Sequence, residues 1–74
     1  MLIKLDPIFY TLESIHNMSK QFSDYMRVEL SANEEICLKM SVKEEHQSES
    51  VLIINTFLNN ILELSIQDMM SNER

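Results

Sequence analysis

Two neighbouring segments in the middle of this 74-residue chain alternate apolar and polar side chains with a period of two. In residues 26–31 the even positions are apolar, and in residues 36–42 they are apolar again. Successive side chains of a β-strand point to opposite faces, so the pattern predicts two strands with one buried face each. Residues 32–35, Ala-Asn-Glu-Glu, predict the turn that joins the strands into an antiparallel hairpin.

The segment before the hairpin has the period of an α-helix. Thr11 is the predicted N-cap, and Glu13 lies in the first turn, where a carboxylate is favourable. The apolar residues that recur at helical spacing are Leu12, Ile15, Met18, Phe22 and Tyr25. This spacing predicts an amphipathic helix of about four turns.

A second, longer helix is predicted after a polar loop at residues 43–49, with Ser48 or Ser50 as its cap. The residues expected to face the sheet are Val51, Ile54, Leu58, Ile61, Leu62 and Met69. Ile53, Phe57 and Leu64 are expected beside that stripe, so the apolar arc is wider than the roughly 100° that a surface helix needs. The excess predicts a second contact surface on this helix.

An apolar segment at residues 2–5 predicts a first strand, which ends at Asp6-Pro7 because proline lacks the amide hydrogen of a continuing ladder. The order strand, helix, strand, strand, helix predicts one α+β domain over residues 1–74. We expect two layers, with a three-stranded sheet and both helices on one face, as in a truncated ferredoxin-like fold. A right-handed crossover would place the first strand parallel beside the third, with the first and second strands at the edges.

Size and charge limit the function classes. A chain this short buries only about 60% of its unfolded surface, so a partner or a second copy is the expected route to further stability. The formal charge of −6 disfavours nucleic acid and favours a basic peptide or protein surface. One cysteine, the absence of a signal peptide and the lack of a spanning apolar stretch predict a soluble cytoplasmic protein without membrane contact.

No constellation of residues predicts catalysis, a metal or a cofactor. Cys37 has no His or Lys placed by sequence to activate it, and an inert thiol is the expected role. His16 and His46 have no second ligand at metal spacing. The pairs Glu34-Glu35 and Glu44-Glu45 are expected to be solvated loop ends, or else to bind a basic segment.

Two surfaces are predicted to bind a partner. The N-terminal strand, with Ile3 and Leu5, would leave an open apolar edge that can accept a strand from another chain. On the second helix, the flank with Ile53, Phe57 and Leu64 is the other surface. Asn59 and Asn60 also belong to the predicted site. Asn55 and Asn59 are expected on one flank of the helix, and Asn60 is expected to point away from the core. These residues are either solvated, or Asn59 hydrogen-bonds across an interface.

The segments Ile3-Lys4-Leu5-Asp6-Pro7-Ile8-Phe9-Tyr10-Thr11-Leu12-Glu13-Ser14-Ile15 and Phe57-Leu58-Asn59-Asn60-Ile61-Leu62-Glu63-Leu64-Ser65-Ile66-Gln67-Asp68 resemble the His-Xaa-Ser system protein HxsD and its relatives. In that family a strand leads into a Tyr-Ser-Leu-like helix start, and the last helix carries Leu-Asn-acidic and Leu-Arg-Glu segments. Leu58 and Asn59 match the Leu-Asn pair, and Ile66 and Asp68 match the flanks of the triplet. Asn60 replaces an acid and Gln67 replaces the arginine.

The resemblance implies a small accessory protein, without activity of its own, that is encoded with radical S-adenosylmethionine enzymes. It would act in the maturation of a ribosomally made peptide, as an adaptor that holds the precursor peptide, the radical enzyme or both. The alternative from a different class is a structural homodimer or regulatory subunit, in which Phe57, Leu64 and the N-terminal strand pair with their own copies.

Overall fold

A computed structural model describes residues 1–71, and residues 72–74 of the predicted domain lie outside the described residues. The elements are β1 (Leu2–Leu5), α1 (Leu12–Gln21), β2 (Met26–Ala32), β3 (Ile36–Val42), a 3₁₀ helix (Glu44–Glu49) and α2 (Ser50–Ser71). The strands form one sheet in the order β1-β3-β2. The predicted α+β class, with a three-stranded sheet and two helices, is therefore confirmed.

The central strand β3 runs antiparallel to both of its neighbours, so the predicted parallel pairing of β1 with β3 is wrong. Leu38 of β3 pairs with Ile3 on one side and with Leu30 on the other. The crossover through α1 makes β2 parallel to β1 but leaves the width of one strand between them. The short hairpin turn then returns β3 into this gap, where it must oppose both neighbours. The two edges are β1 and β2, as predicted.

Helix α1 begins where the sequence predicts and ends one turn early. Thr11 is extended, and its hydroxyl accepts a hydrogen bond from Ser14 N at 3.2 Å, which is the geometry of an N-cap. The helix spans only ten residues, about three turns. Tyr25 lies after it and contacts Phe22 edge to face, with ring centroids 6.2 Å apart.

The long helix α2 is rotated relative to the prediction. Val51, which was expected in the core, is 72% exposed, whereas Phe57, which was expected on the flank, is 0% exposed. Ser65 is also fully buried and belongs to the same face. A prediction that counts only apolar residues misses a buried serine and turns the stripe away from it.

The segment before α2 is a 3₁₀ helix instead of the predicted loop. Ser50 follows it with helical backbone angles, φ −57° and ψ −42°. An N-cap residue is extended, so Ser50 does not cap α2. The chain passes from the 3₁₀ helix into α2 without an intervening loop, as short 3₁₀ segments often do at helix ends.

The core lies between one face of the sheet and the two helices. Its buried apolar side chains are Leu5, Ile15, Met18, Met26, Ile36, Leu38, Met40, Phe57 and Ile61. The opposite face of the sheet carries exposed charged side chains, including Lys4, Arg27 and Lys39. The hairpin thus has the one buried and one exposed face that its alternation predicts.

Candidate binding surfaces

The start of α1 and the end of α2 are joined by a cluster of polar side chains. Thr11 N donates to Ser65 Oγ at 2.9 Å. The hydroxyls of Thr11 and Ser14 each lie 2.9 Å from Asp68 Oδ2, and the two hydroxyls are 2.7 Å apart. Because Ser14 and Ser65 are buried, these bonds fix the position of α2 along α1. We call these four residues the helix-joining cluster.

Further along, the same face of α2 contacts the rest of α1. Phe57 packs edge to face on Phe22, with ring centroids 5.4 Å apart. The side-chain nitrogen of Asn60 lies 3.8 Å from the sulfur of Met18 and donates to it. Asn60 therefore faces α1, which corrects the prediction that it points away from the core.

The opposite face of α2 contributes no side chain to the core of the described residues. We call this surface the outer face of α2, and it consists of Leu52, Asn55, Asn59, Leu62, Ile66 and Met69. Leu62 and Met69 are half-buried at its margin, and the other four residues are exposed. Leu52 and Ile66 are large apolar side chains, and Ile66 is 47% exposed. They lie about 21 Å apart along the helix, with the exposed Asn55 and Asn59 between them on the same face.

The seven residues predicted to bind a partner do not come together on one surface. Leu5 and Phe57 lie in the core, and Ile3, Ile53 and Leu64 are half-buried against it. Asn60 faces α1, as described above. Only Asn59 is exposed, and it lies on the outer face of α2.

Strand β1 has a free edge, as predicted, but the edge is short. Met1 and Met40 exchange two backbone hydrogen bonds, each 2.8 Å long. Hydrogen-bonded pairs alternate along an antiparallel ladder, so the backbone N–H and C=O groups of Ile3 and Leu5 also point toward β3. Only Leu2 and Lys4 of β1 direct their N–H and C=O groups outward.

Strand β2 has the longer free edge. Lys43 N donates to Tyr25 O at 2.9 Å, which fixes the alternation along the ladder between β2 and β3. From this pair onward, the backbone groups of residues 27, 29 and 31 point toward β3. The backbone groups that point outward therefore belong to Met26, Val28, Leu30 and Ala32. Within residues 1–71 no strand pairs with them.

Two clefts lie beside this edge, between α1 and β2. The first, of about 380 Å³, is lined by Leu12 and Tyr10 on one side and by Ala32 on the other. The second, of about 370 Å³, is lined by Ser19, Ser23, Met26, Arg27, Val28 and Lys43. Leu30 lies between Val28 and Ala32 along the strand and is 41% exposed, and Leu12 is 48% exposed. We call the two clefts together with Leu30 the α1–β2 groove. This groove could not be predicted from the sequence, although Leu12 and Leu30 belong to the apolar patterns that predict α1 and β2.

The residues that could carry chemistry are dispersed. Among residues 1–71 no group of three or more His, Cys, Asp or Glu side chains could hold a metal ion. Cys37 is half-buried on the charged face of the sheet, and the ring of His46 packs on Tyr25 with centroids 5.0 Å apart. Over the same residues, no helix has the length and apolar composition needed to cross a bilayer.

Comparisons with protein-family models, with curated proteins and with solved structures find no match for this chain. The resemblance to the HxsD family thus stays a prediction based on the two quoted segments.

Proposed function

We propose that this chain is a non-catalytic cytoplasmic adaptor that captures an extended peptide segment as a fourth strand on the edge of β2. The observation that carries the proposal is the row of four residues on β2 whose backbone N–H and C=O groups point away from the sheet, beside the α1–β2 groove. An added strand gains main-chain hydrogen bonds from the edge, and pockets beside the edge select its side chains.

The groove selects the side chains of one face of the added strand. Alternate residues of a peptide on β2 would lie next to Leu30 and Leu12, where an apolar side chain covers surface that is now exposed. The cleft that includes Tyr10 and Leu12 gives one such side chain a pocket. The preferred segment therefore has apolar residues two positions apart.

Charge adds a second preference. The hairpin turn at the end of β2 carries the exposed Glu34 and Glu35, and the whole chain has a formal charge of −6. A segment with basic residues near this turn would approach faster and bind in a defined direction.

The resemblance to the HxsD family supports a specific setting for this activity. In that setting the captured segment belongs to a ribosomally made precursor peptide, and the adaptor presents it to a radical S-adenosylmethionine enzyme. The adaptor itself uses no cofactor in this proposal.

The test is a selection of random peptides of about ten residues against the immobilised protein, followed by affinity measurements on two proline variants. Leu30→Pro removes an outward N–H of β2, and Lys4→Pro removes an outward N–H of β1. Neither change breaks a bond to β3, so both variants should fold. We expect Leu30→Pro to weaken the selected peptide at least about tenfold and Lys4→Pro to leave its affinity unchanged.

Selected peptides that lose affinity only with Lys4→Pro would transfer the site to β1 and overturn the assignment to β2. Peptides that bind both variants as well as the parent protein would exclude strand addition altogether. Co-purification of the precursor peptide or radical enzyme encoded beside this chain then tests the setting separately from the binding mode.

A further inference from the structure

We propose that the outer face of α2 binds the same face of a second copy of this chain, with the two helices parallel and in register. This pairing is independent of peptide capture, because it uses neither edge of the sheet. It also differs from the homodimer expected from the sequence, since Phe57 is buried and takes no part.

The spacing of the outer face is that of a two-stranded coiled coil. Leu52, Asn59 and Ile66 are seven residues apart, and Asn55, Leu62 and Met69 follow each of them by three. These are the a and d positions of a heptad, whose side chains meet a partner helix along one seam. The inner face of α2, with Phe57 and Ile61, lies outside this seam, so one helix can serve the core and the seam together.

The two asparagines identify the occupant. In a parallel, in-register pair each residue of the seam meets its own copy, so Asn59 lies opposite Asn59 and Asn55 opposite Asn55. Amides placed in this way hydrogen-bond to each other, and a single Asn at an a position is known to fix register and number of strands. An antiparallel pair would oppose Asn59 to Leu62 and Asn55 to Ile66, leaving amides buried without partners.

Local charge does not oppose a second copy at this face. With a formal charge of −6, two copies repel each other, but the outer face carries no charged residue. The nearest one, Glu63, is exposed at an e position of the heptad. In a parallel pair an e residue faces a g residue of the other helix, here Leu58, so the two Glu63 carboxylates stay apart.

The seam is short, so the dimer should be weak. Residues 52–69 span about 27 Å, or roughly two and a half heptads. The helix is already held by the core, and pairing therefore requires no further ordering of its backbone. We expect a reversible dimer with a dissociation constant in the range of about 1 to 100 μM.

Sedimentation equilibrium over a concentration series tests the pairing, with Ile66→Lys against Ile8→Lys as the matched control. Both residues are exposed isoleucines, but Ile8 lies between β1 and α1. Ile66→Lys should raise the dissociation constant at least about tenfold, whereas Ile8→Lys should leave it unchanged. A parent protein that stays monomeric throughout, or equal effects of the two variants, would overturn the proposal.

A cross-linking variant tests the orientation. In a Cys37→Ser background, Leu52→Cys places one thiol near the end of the seam. Parallel, in-register helices bring the two Cβ atoms close enough for a disulfide under mild oxidation, whereas antiparallel helices separate them by about 25 Å. Rapid formation of a covalent dimer supports the proposal, and a dimer that does not cross-link contradicts the parallel register.

Discussion

The inner face of α2 and the free edge of β2 both consist of groups that need partners, but within residues 1–71 only the helix face finds them. Phe57 and Ile61 are completely buried, and Ser65 and Asp68 of the same helix hydrogen-bond to Thr11 and Ser14 at the start of α1. Along β2, in contrast, Val28 and Leu30 direct backbone groups to solvent. The difference separates residues that stabilise the fold from residues left free to bind.

This separation can be tested because the two regions should respond differently to substitution. Changes on the inner face should lower the free energy of unfolding and leave the peptide affinity of the folded protein unaltered. Changes at the edge or in the groove should lower the peptide affinity and leave the free energy of unfolding nearly unaltered.

Phe57→Ala should have the largest effect on stability. It removes the central side chain of the core and should cost about 3 to 5 kcal/mol in the free energy of unfolding, a large share of the total for a small domain. Urea denaturation followed by circular dichroism measures it. Leu52→Ala, on the exposed face of the same helix, should change stability by less than about 0.5 kcal/mol at concentrations where the protein is monomeric.

Proline substitution at adjacent positions of β2 tests the direction of the backbone groups. Ser31 faces β3 and Leu30 faces outward. Ser31→Pro should therefore be less stable than Leu30→Pro by about 1 to 3 kcal/mol, because it removes a bond of the ladder and leaves a carbonyl without its donor. Thermal unfolding of both variants gives the comparison, and equal stabilities would show that the assigned alternation is wrong.

Asp68→Ala tests the helix-joining cluster. The hydroxyls of Thr11 and Ser14 lose their common acceptor, and the expected cost is about 1 to 2 kcal/mol. Gln67→Ala is the control, since Gln67 is exposed on the same turn of α2. A stability loss no larger than that of the control would mean that water replaces the carboxylate without penalty.

Leu12→Ser should have the smallest effect on stability and a measurable effect on binding. The side chain is about half exposed and lies in the α1–β2 groove, so the free energy of unfolding should change by less than about 0.5 kcal/mol. The affinity of a selected peptide should fall by roughly threefold to tenfold, as measured by isothermal titration calorimetry. An unchanged affinity would remove the groove from the binding site.

Much of the fold could be predicted from local patterns. The alternation in residues 26–31 and 36–42 predicts β2 and β3 to within one residue, and Thr11 is the N-cap that its side chain suggests. These features depend on near neighbours in the chain. The orientation of β1 depends on how much space the crossover leaves in the sheet, and the local pattern does not contain that information.

The binding surfaces were harder to predict for a related reason. Both faces of α2 carry apolar residues, so the sequence alone does not show which one the core uses, and the prediction places Phe57 and Asn60 on the wrong side. Ser65 and Asp68 decide which face of α2 packs inward, because they hydrogen-bond to Thr11 and Ser14. These partners are far away in the sequence, so a local pattern does not reveal them. The α1–β2 groove likewise exists only after the chain has folded.

Amide hydrogen exchange, measured residue by residue with and without a selected peptide, tests the central claim most directly. If the peptide adds as a strand to β2, the outward amides of Val28 and Leu30 should exchange more slowly in the complex, while those of Leu2 and Lys4 should not change. Slower exchange at Leu2 and Lys4 alone, or no change at either edge, would contradict the account.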